Sequence, residues 1–189
     1  TQSMPDPAIE PAQFSQSFAL RDGTPAIIRV MRPDDKDRLI AAFSKLDRAS
    51  VYTRFFGYRK SLPEGPLNRI GKIDFVHLAG LVVSVGNGAD ETVIGSATYV
   101  VEAAPEGDAP VAEVAFTIEE DYQGQGLARR LLAALAGIAR AHGIARIKAE
   151  VLGSNSPMLA VFQRSGLPMT RRSEGGVVHL VLDLQPAVP

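Results

Sequence analysis

The sequence predicts an α/β (α+β) domain organised around a mixed sheet. Three features lead there. Short strand-like segments recur along most of the chain, helix-like segments with apolar residues three and four apart are interleaved with them, and near residue 120 a strand passes into a helix through a pair of glycines. A chain of 189 residues, 46% hydrophobic and 22% charged, suffices for one domain with a full core.

The elements follow in order. Residues 1–18, rich in Pro, Gln and Ser and without periodicity, read as a mobile N-terminal segment; residues 19–185 read as a single domain and 186–189 as a tail. "AIIRVM" (26–31) is strand-like, and "RPDDKDRLIAAFSKL" (32–46) opens on Pro33 and two aspartates before Leu39, Ile40, Phe43 and Leu46 fall at helical spacing. "RASVYTRFFG" (48–57) reads as a second short helix closed by Gly57, and 58–73, with Pro63 and Pro66, as a loop with a turn or two of helix. "LAGLVVSV" (78–85) and "TVIGSATYVV" (92–101) flank a Gly-Asn-Gly turn as a hairpin does, and "VAEVAFTI" (111–118) is a further strand. Leu127, Leu131, Leu135 and Ile138 mark one face of a helix that runs to His142 and stops at Gly143. A strand at 146–152, a helix within 155–165 and two strands around "SEGG" (173–176) complete the chain.

Composition excludes several function classes. A net charge of -1 provides no global field for nucleic acid or an anionic membrane. No cysteine is present, so disulfides, thiolate metal sites and a cysteine nucleophile are excluded, and His77, His142 and His179 lack metal-ligand spacing; no metal site is expected. The apolar runs are too short for a membrane helix and the N-terminus lacks signal-peptide order, so the expected location is cytoplasmic.

The chemistry concentrates at 111–130. Along "VAEVAFTI", Ala112, Val114, Phe116 and Ile118 share one face, while Val111, Glu113, Ala115 and Thr117 share the other, so a carboxylate stands among small and apolar residues. Beyond the strand, Gly124 and Gly126 allow backbone conformations closed to other residues and let main-chain N–H groups reach a ligand with no Cβ in the way. The free N–H groups and positive dipole end of the following helix suit a phosphate, with Arg129 and Arg130 in the next turn. A tight turn capping a core helix would need the same glycines, and from these residues alone both readings stand. A Rossmann fingerprint would need a third glycine where Arg129 stands, and a P-loop would need Gly-Lys-Ser/Thr.

"QGQGLA" (123–128) matches the Q/R-x-x-G-x-G/A motif of the GCN5-related N-acetyltransferases, between the strand and helix where that family carries it. "NSPMLAVFQRSGL" (155–167) resembles the family's Asn-led helix ending in Gly and an apolar residue, so two motifs agree in order and separation. "LRDGTPAIIRVMRPDD" (20–35), "VYTRFFG" (51–57) and "AEVAFTIEEDYQGQGLARRLL" further resemble the acetyltransferase domain of bacterial protein-lysine acetyltransferases. The resemblance covers about residues 20 to 184.

It implies the GNAT fold: a mixed, mostly antiparallel sheet splayed between two central parallel strands, with helices on both faces. It implies acetyl-CoA as acyl-donor cosubstrate, with the pantetheine arm along Phe116 and Ile118 and the pyrophosphate on the N–H groups of Gln123, Gly124, Gln125, Gly126, Leu127 and Ala128. Asn155 matches the family's asparagine near the thioester, and an asparagine there also suits a helix N-cap unaided. Phe162 stands where many members carry a tyrosine that protonates the departing thiolate; the acid is therefore unassigned, with Ser154, Ser156, Tyr99 or water as candidates, and Phe162 packs against the cofactor or into the core.

The implied reaction is attack of a neutral amine on the thioester, through an oxyanion stabilised by strand N–H groups. Free lysine titrates at about 10.4, so at neutral pH only about one part in 10³ to 10⁴ is neutral and a positioned base has scope. Glu113 corresponds to the base of the lysine-acetylating branch, and its apolar strand face would raise its pKa. A structural carboxylate paired with Arg or Lys is the alternative. Tyr52, Arg54, Phe55, Phe56, His77, Arg171 and Arg172 read as structural or solvated residues. Three functions remain: an enzyme acetylating a protein lysine, for instance on an acyl-CoA synthetase; a small-molecule amine acetyltransferase; and a non-catalytic acyl-CoA-binding sensor. Edge strands leave a homodimer possible.

Overall fold

A computed structural model describes residues 14–32, 34, 35, 37, 38, 78–103, 106–118, 122 and 124–184. The helix expected over 48–57, His77 and Gln123 lie outside the described residues, as does most of the helix expected over 32–46. In chain order the elements are β1 (Ser15–Ala19), β2 (Pro25–Val30), β3 (Leu78–Val85), β4 (Thr92–Val101), β5 (Val111–Ile118), α1 (Leu127–Ala141), β6 (Arg146–Leu152), α2 (Ser156–Gln163), β7 (Met169–Glu174) and β8 (Val177–Asp183). They form one eight-stranded sheet in the order β1-β2-β3-β4-β5-β6-β8-β7. Every neighbouring pair is antiparallel except the central β5–β6 pair, which is parallel.

Side-chain period sets these strands. β3 is apolar almost throughout and buried on both faces, whereas β6 alternates, with Ile147, Ala149 and Val151 buried and Arg146, Lys148 and Glu150 turned away. β8 alternates likewise, burying Val178, Leu180 and Leu182. α1 lays Leu127, Leu131, Leu135 and Ile138 into the core and packs across β3, β4 and β5. Burying each such leucine is worth about 1.5–3 kcal/mol. The helix ends where His142 Nδ1 meets the Ile138 carbonyl at 3.0 Å and Gly143 turns left-handed, at φ 75°. Arg140 Nε then donates to the Leu184 carbonyl at 2.8 Å, tying the helix end to the chain just past β8.

β1 corrects one boundary. Residues 15–18, expected in the mobile N-terminal segment, are instead strand, paired from Ser15↔Arg29 to Ala19↔Pro25. Its serines and glutamine conceal the pattern, because an edge strand needs few apolar side chains; Phe18, with the preceding Phe14, packs against the core.

One ionic cluster pins β2 to the β3–β4 hairpin. Fully buried Asp35 accepts Arg29 Nη1 at 2.8 Å and Nη2 at 2.7 Å, and also the Arg32 N–H at 2.7 Å. Glu91 accepts Arg29 Nη2 at 2.8 Å from the other side. Burial pushes both carboxyls up, but the guanidinium bonds from Arg29, with the Arg32 N–H at Asp35 and Ser84 at Glu91, more than reverse it and hold both below the usual range.

Candidate active site

β5 and β6 run in register over only three rungs: Val111↔Arg146, Ala112↔Ile147 and Glu113↔Lys148. Beyond them β5 stays paired with β4 as far as Gly95↔Ile118, and β6 stays paired with β8 as far as Leu152↔Val177. Each strand follows its outer neighbour, and the sheet's right-handed twist carries the two apart. The wedge between them opens into a cleft of about 380 Å³. Val114, Phe116 and Ile118 wall it on one side, Ala149, Glu150 and Val151 on the other; Asn155, Met158 and Phe162 come from around α2, and Gly124, Gly126 and Leu127 close one end.

That end is built for an anion. Gly124 and Gly126 have φ 79° and 80°, the left-handed region that admits glycine and penalises other residues. Gly126 is the N-cap of α1 and has no side chain to satisfy the first-turn N–H groups. Among the described residues beyond its chain neighbours, a Cβ built at either glycine would meet no atom within 4 Å, which leaves room in front of the turn for a ligand. Leu127 is buried and anchors the first turn in the core, while Ala128 is half-buried at the rim. The residues fit the pyrophosphate of CoA.

Phe162 and Phe116 meet edge to face, centroids 5.9 Å apart at 77°. Phe162 is 1% exposed, so the ring is core as expected, and it also lines the cleft. Asn155 is the N-cap of α2, its Oδ1 accepting the Met158 N–H at 3.3 Å, and it lines the cleft as well. Tyr99 is buried on β4 opposite Val114.

Glu113 stands on the last paired rung, at the vertex of the wedge. Partial desolvation and the negative charges of Glu150 and Glu102 push its carboxyl up; Lys148 opposes them. Lys148 is held by Glu102 at 2.5 Å, and Glu150 by His179 Nδ1 at 3.2 Å, so both flanking groups are tied in place. Glu113 itself is exposed and is not among the residues that line the cleft, and its raised carboxyl is a better proton acceptor than an ordinary glutamate.

Sequence reading missed Glu150, Arg21, Tyr122 and Arg164, all of which line the cleft. For Glu150 the signal was its place on the polar face of β6; for Arg21 there was none, because "RDG" announces only a turn.

A splayed parallel pair above a glycine cradle is the arrangement expected of an acetyltransferase domain. Residues 50–167 match the acetyltransferase (GNAT) family, and the chain belongs to it. It is 31% identical over 168 residues to "Acetyltransferase Pat" of Mycolicibacterium smegmatis, covering 88% of this chain and 48% of that one, so it spans about half the length of that relative. The crystal structure of the GNAT domain of S. lividans PAT superposes with a TM-score of 0.77 at 34% identity, covering 89% of this chain and 96% of that one. An acetyltransferase fold from Salmonella typhimurium, yncA, solved with acetyl-CoA, superposes with a TM-score of 0.67 at 20% identity over 87% of this chain and 97% of that one.

Proposed function

We propose that this chain acetylates a lysine side chain of a protein, such as an acyl-CoA synthetase, with Glu113 as the base. The observation that carries the reading is the raised carboxyl of Glu113 on the last rung before β5 and β6 part. The resemblance of residues 20–35 and 51–57 to protein-lysine acetyltransferase domains supports a protein acceptor.

Acetyl-CoA supplies the acyl group as an activated thioester. The chain's own residues do the rest. Gly124, Gln125, Gly126, Leu127 and Ala128 hold the pyrophosphate through main-chain N–H groups and the helix dipole. Beyond Glu113, the stretch of β5 that has parted from β6 lines the cleft with Phe116 and Ile118, along which the pantetheine arm lies. Phe116, Phe162 and Met158 keep water from the reacting carbon. Asn155 fixes the start of α2 and so the position of Phe162. Glu113 takes the proton from the arriving ammonium, directly or through one water, and leaves the nitrogen its lone pair. The raised carboxyl narrows the gap to lysine and makes that transfer less uphill than to an ordinary glutamate. No tyrosine is needed to protonate the leaving thiolate, because a thiol of pKa about 8.5 departs as an anion.

The test is CoA-thiol release from acetyl-CoA by wild type and Glu113→Gln, with an acyl-CoA synthetase and a panel of small amines as acceptors. Release with the synthetase, reduced about 10²–10⁴-fold in the variant, is the expected result. Release with small amines alone would replace the protein acceptor by a metabolite. Undiminished release by Glu113→Gln would remove it as base, and cofactor binding with no release by any acceptor would leave a sensor.

A further inference from the structure

The β1–β2 turn is not free in solvent. It is closed internally, Gly23 N–H donating to the Leu20 carbonyl at 2.9 Å and Thr24 N–H to Asp22 Oδ1 at 2.9 Å, with Gly23 at φ 89°. It is also docked on the glycine turn 104 residues away, the Arg21 N–H donating to Gln125 Oε1 at 3.1 Å. A second contact lies alongside, where the Arg130 guanidinium sits 4.4 Å above the Phe18 ring. Gln125, between the two glycines of the cradle, thus has a side chain that reaches back to hold the hairpin. The consequence is the position of Arg21, which lines the same cleft as Gly124 and Gly126. Among the described residues no carboxylate lies within ion-pair distance of its guanidinium.

A chain of net charge -1 therefore places an arginine at the anion end of its cleft through a hairpin far away in sequence. Arg130 is engaged by Phe18, whereas Arg21 is pinned by its main chain to Gln125 and lines the cleft. The structure assigns Arg21 as a binding residue for the CoA pyrophosphate, presented by the β1–β2 hairpin and indexed to the cradle by Gln125. The assignment rests on the acetyl-CoA reading above. Main-chain N–H groups and a helix dipole compensate part of a doubly charged pyrophosphate; a guanidinium adds a full charge and a two-pronged donor.

The test is a set of affinities, by calorimetry and competition, for CoA, 3′-dephospho-CoA and pantetheine with wild type, Arg21→Gln and Arg21→Lys. Arg21→Gln should weaken CoA and 3′-dephospho-CoA by the same factor, about tenfold, the scale of one charge-assisted bond at a part-open site, and leave pantetheine unchanged. Arg21→Lys should recover part of the loss. Arg21 is on an exposed turn, so an unchanged thermal midpoint is expected of both variants. Equal CoA affinity in wild type and Arg21→Gln would overturn the assignment, as would a loss that vanishes with 3′-dephospho-CoA or one that extends to pantetheine. Failure of wild type to bind CoA at all would overturn the acetyl-CoA reading first and the assignment with it.

Discussion

Around Arg29, Asp35 and Glu91 are met by guanidinium groups on each side, with Arg38 3.3 Å from Asp35 and Arg32 3.4 Å from Glu91. At the foot of β5, Glu113 faces Glu150 and Glu102 with only Lys148 to offset them. Both regions are partly withdrawn from water, and both join strands of one sheet. In the first, opposite charges and hydrogen bonds overcome burial and hold the carboxyls low; in the second, burial and like charges add and lift the carboxyl. The comparison separates a cluster that holds the fold from one that, under the proposed function, prepares a reaction. A carboxyl held low is a poor base and a good strut, and a lifted one is the reverse.

The strongest way to break the comparison is at the strut. Asp35→Asn strands Arg29 against Glu91 alone beneath a buried amide, and the fold should lose about 3 kcal/mol, read from the midpoint of urea unfolding. Turnover of the molecules still folded should stay near wild type. Equal loss of turnover would merge the two regions into one.

Acid sharpens the contrast, because the two clusters answer pH through different readouts. Asp35 and Glu91 have folded values below their unfolded ones, so the stability they contribute is whole above the ordinary carboxyl range, about 4, and is lost as pH falls through the depressed values. Glu113 has a folded value above its unfolded one. Its base form, and with it turnover, is lost at higher pH, while the fold is still intact. Turnover and circular dichroism followed together on descending pH should therefore part, activity failing first; coincident loss would refute the separation.

The smallest effect expected is at Glu150. Glu150→Gln removes one like charge from the neighbourhood of Glu113 and should move the acid limb of the turnover profile to lower pH without abolishing turnover at its plateau. A limb that stays put would mean that desolvation and Glu102 lift Glu113 without Glu150.

Local period made most of the fold legible in the sequence. β3, β4, β5 and β6 run over the residues their apolar pattern marks, and α1 stops at His142 and Gly143, because these signals depend only on neighbours a few residues away. The glycine pair and Asn155 were legible for the same reason: a left-handed turn and an N-cap are written in one or two residues. Polar β1 was not, since an edge strand is decided by its partner. Tertiary structure alone decided where β5 parts from β6, which depends on β4 and β8 each pulling a strand its own way. It also decided that Glu150 stands close enough to lift Glu113, and that Arg21 reaches a turn 104 residues off. Coulomb forces and hydrogen bonds act through space, and a pattern read along the chain contains only the distances that the chain itself fixes.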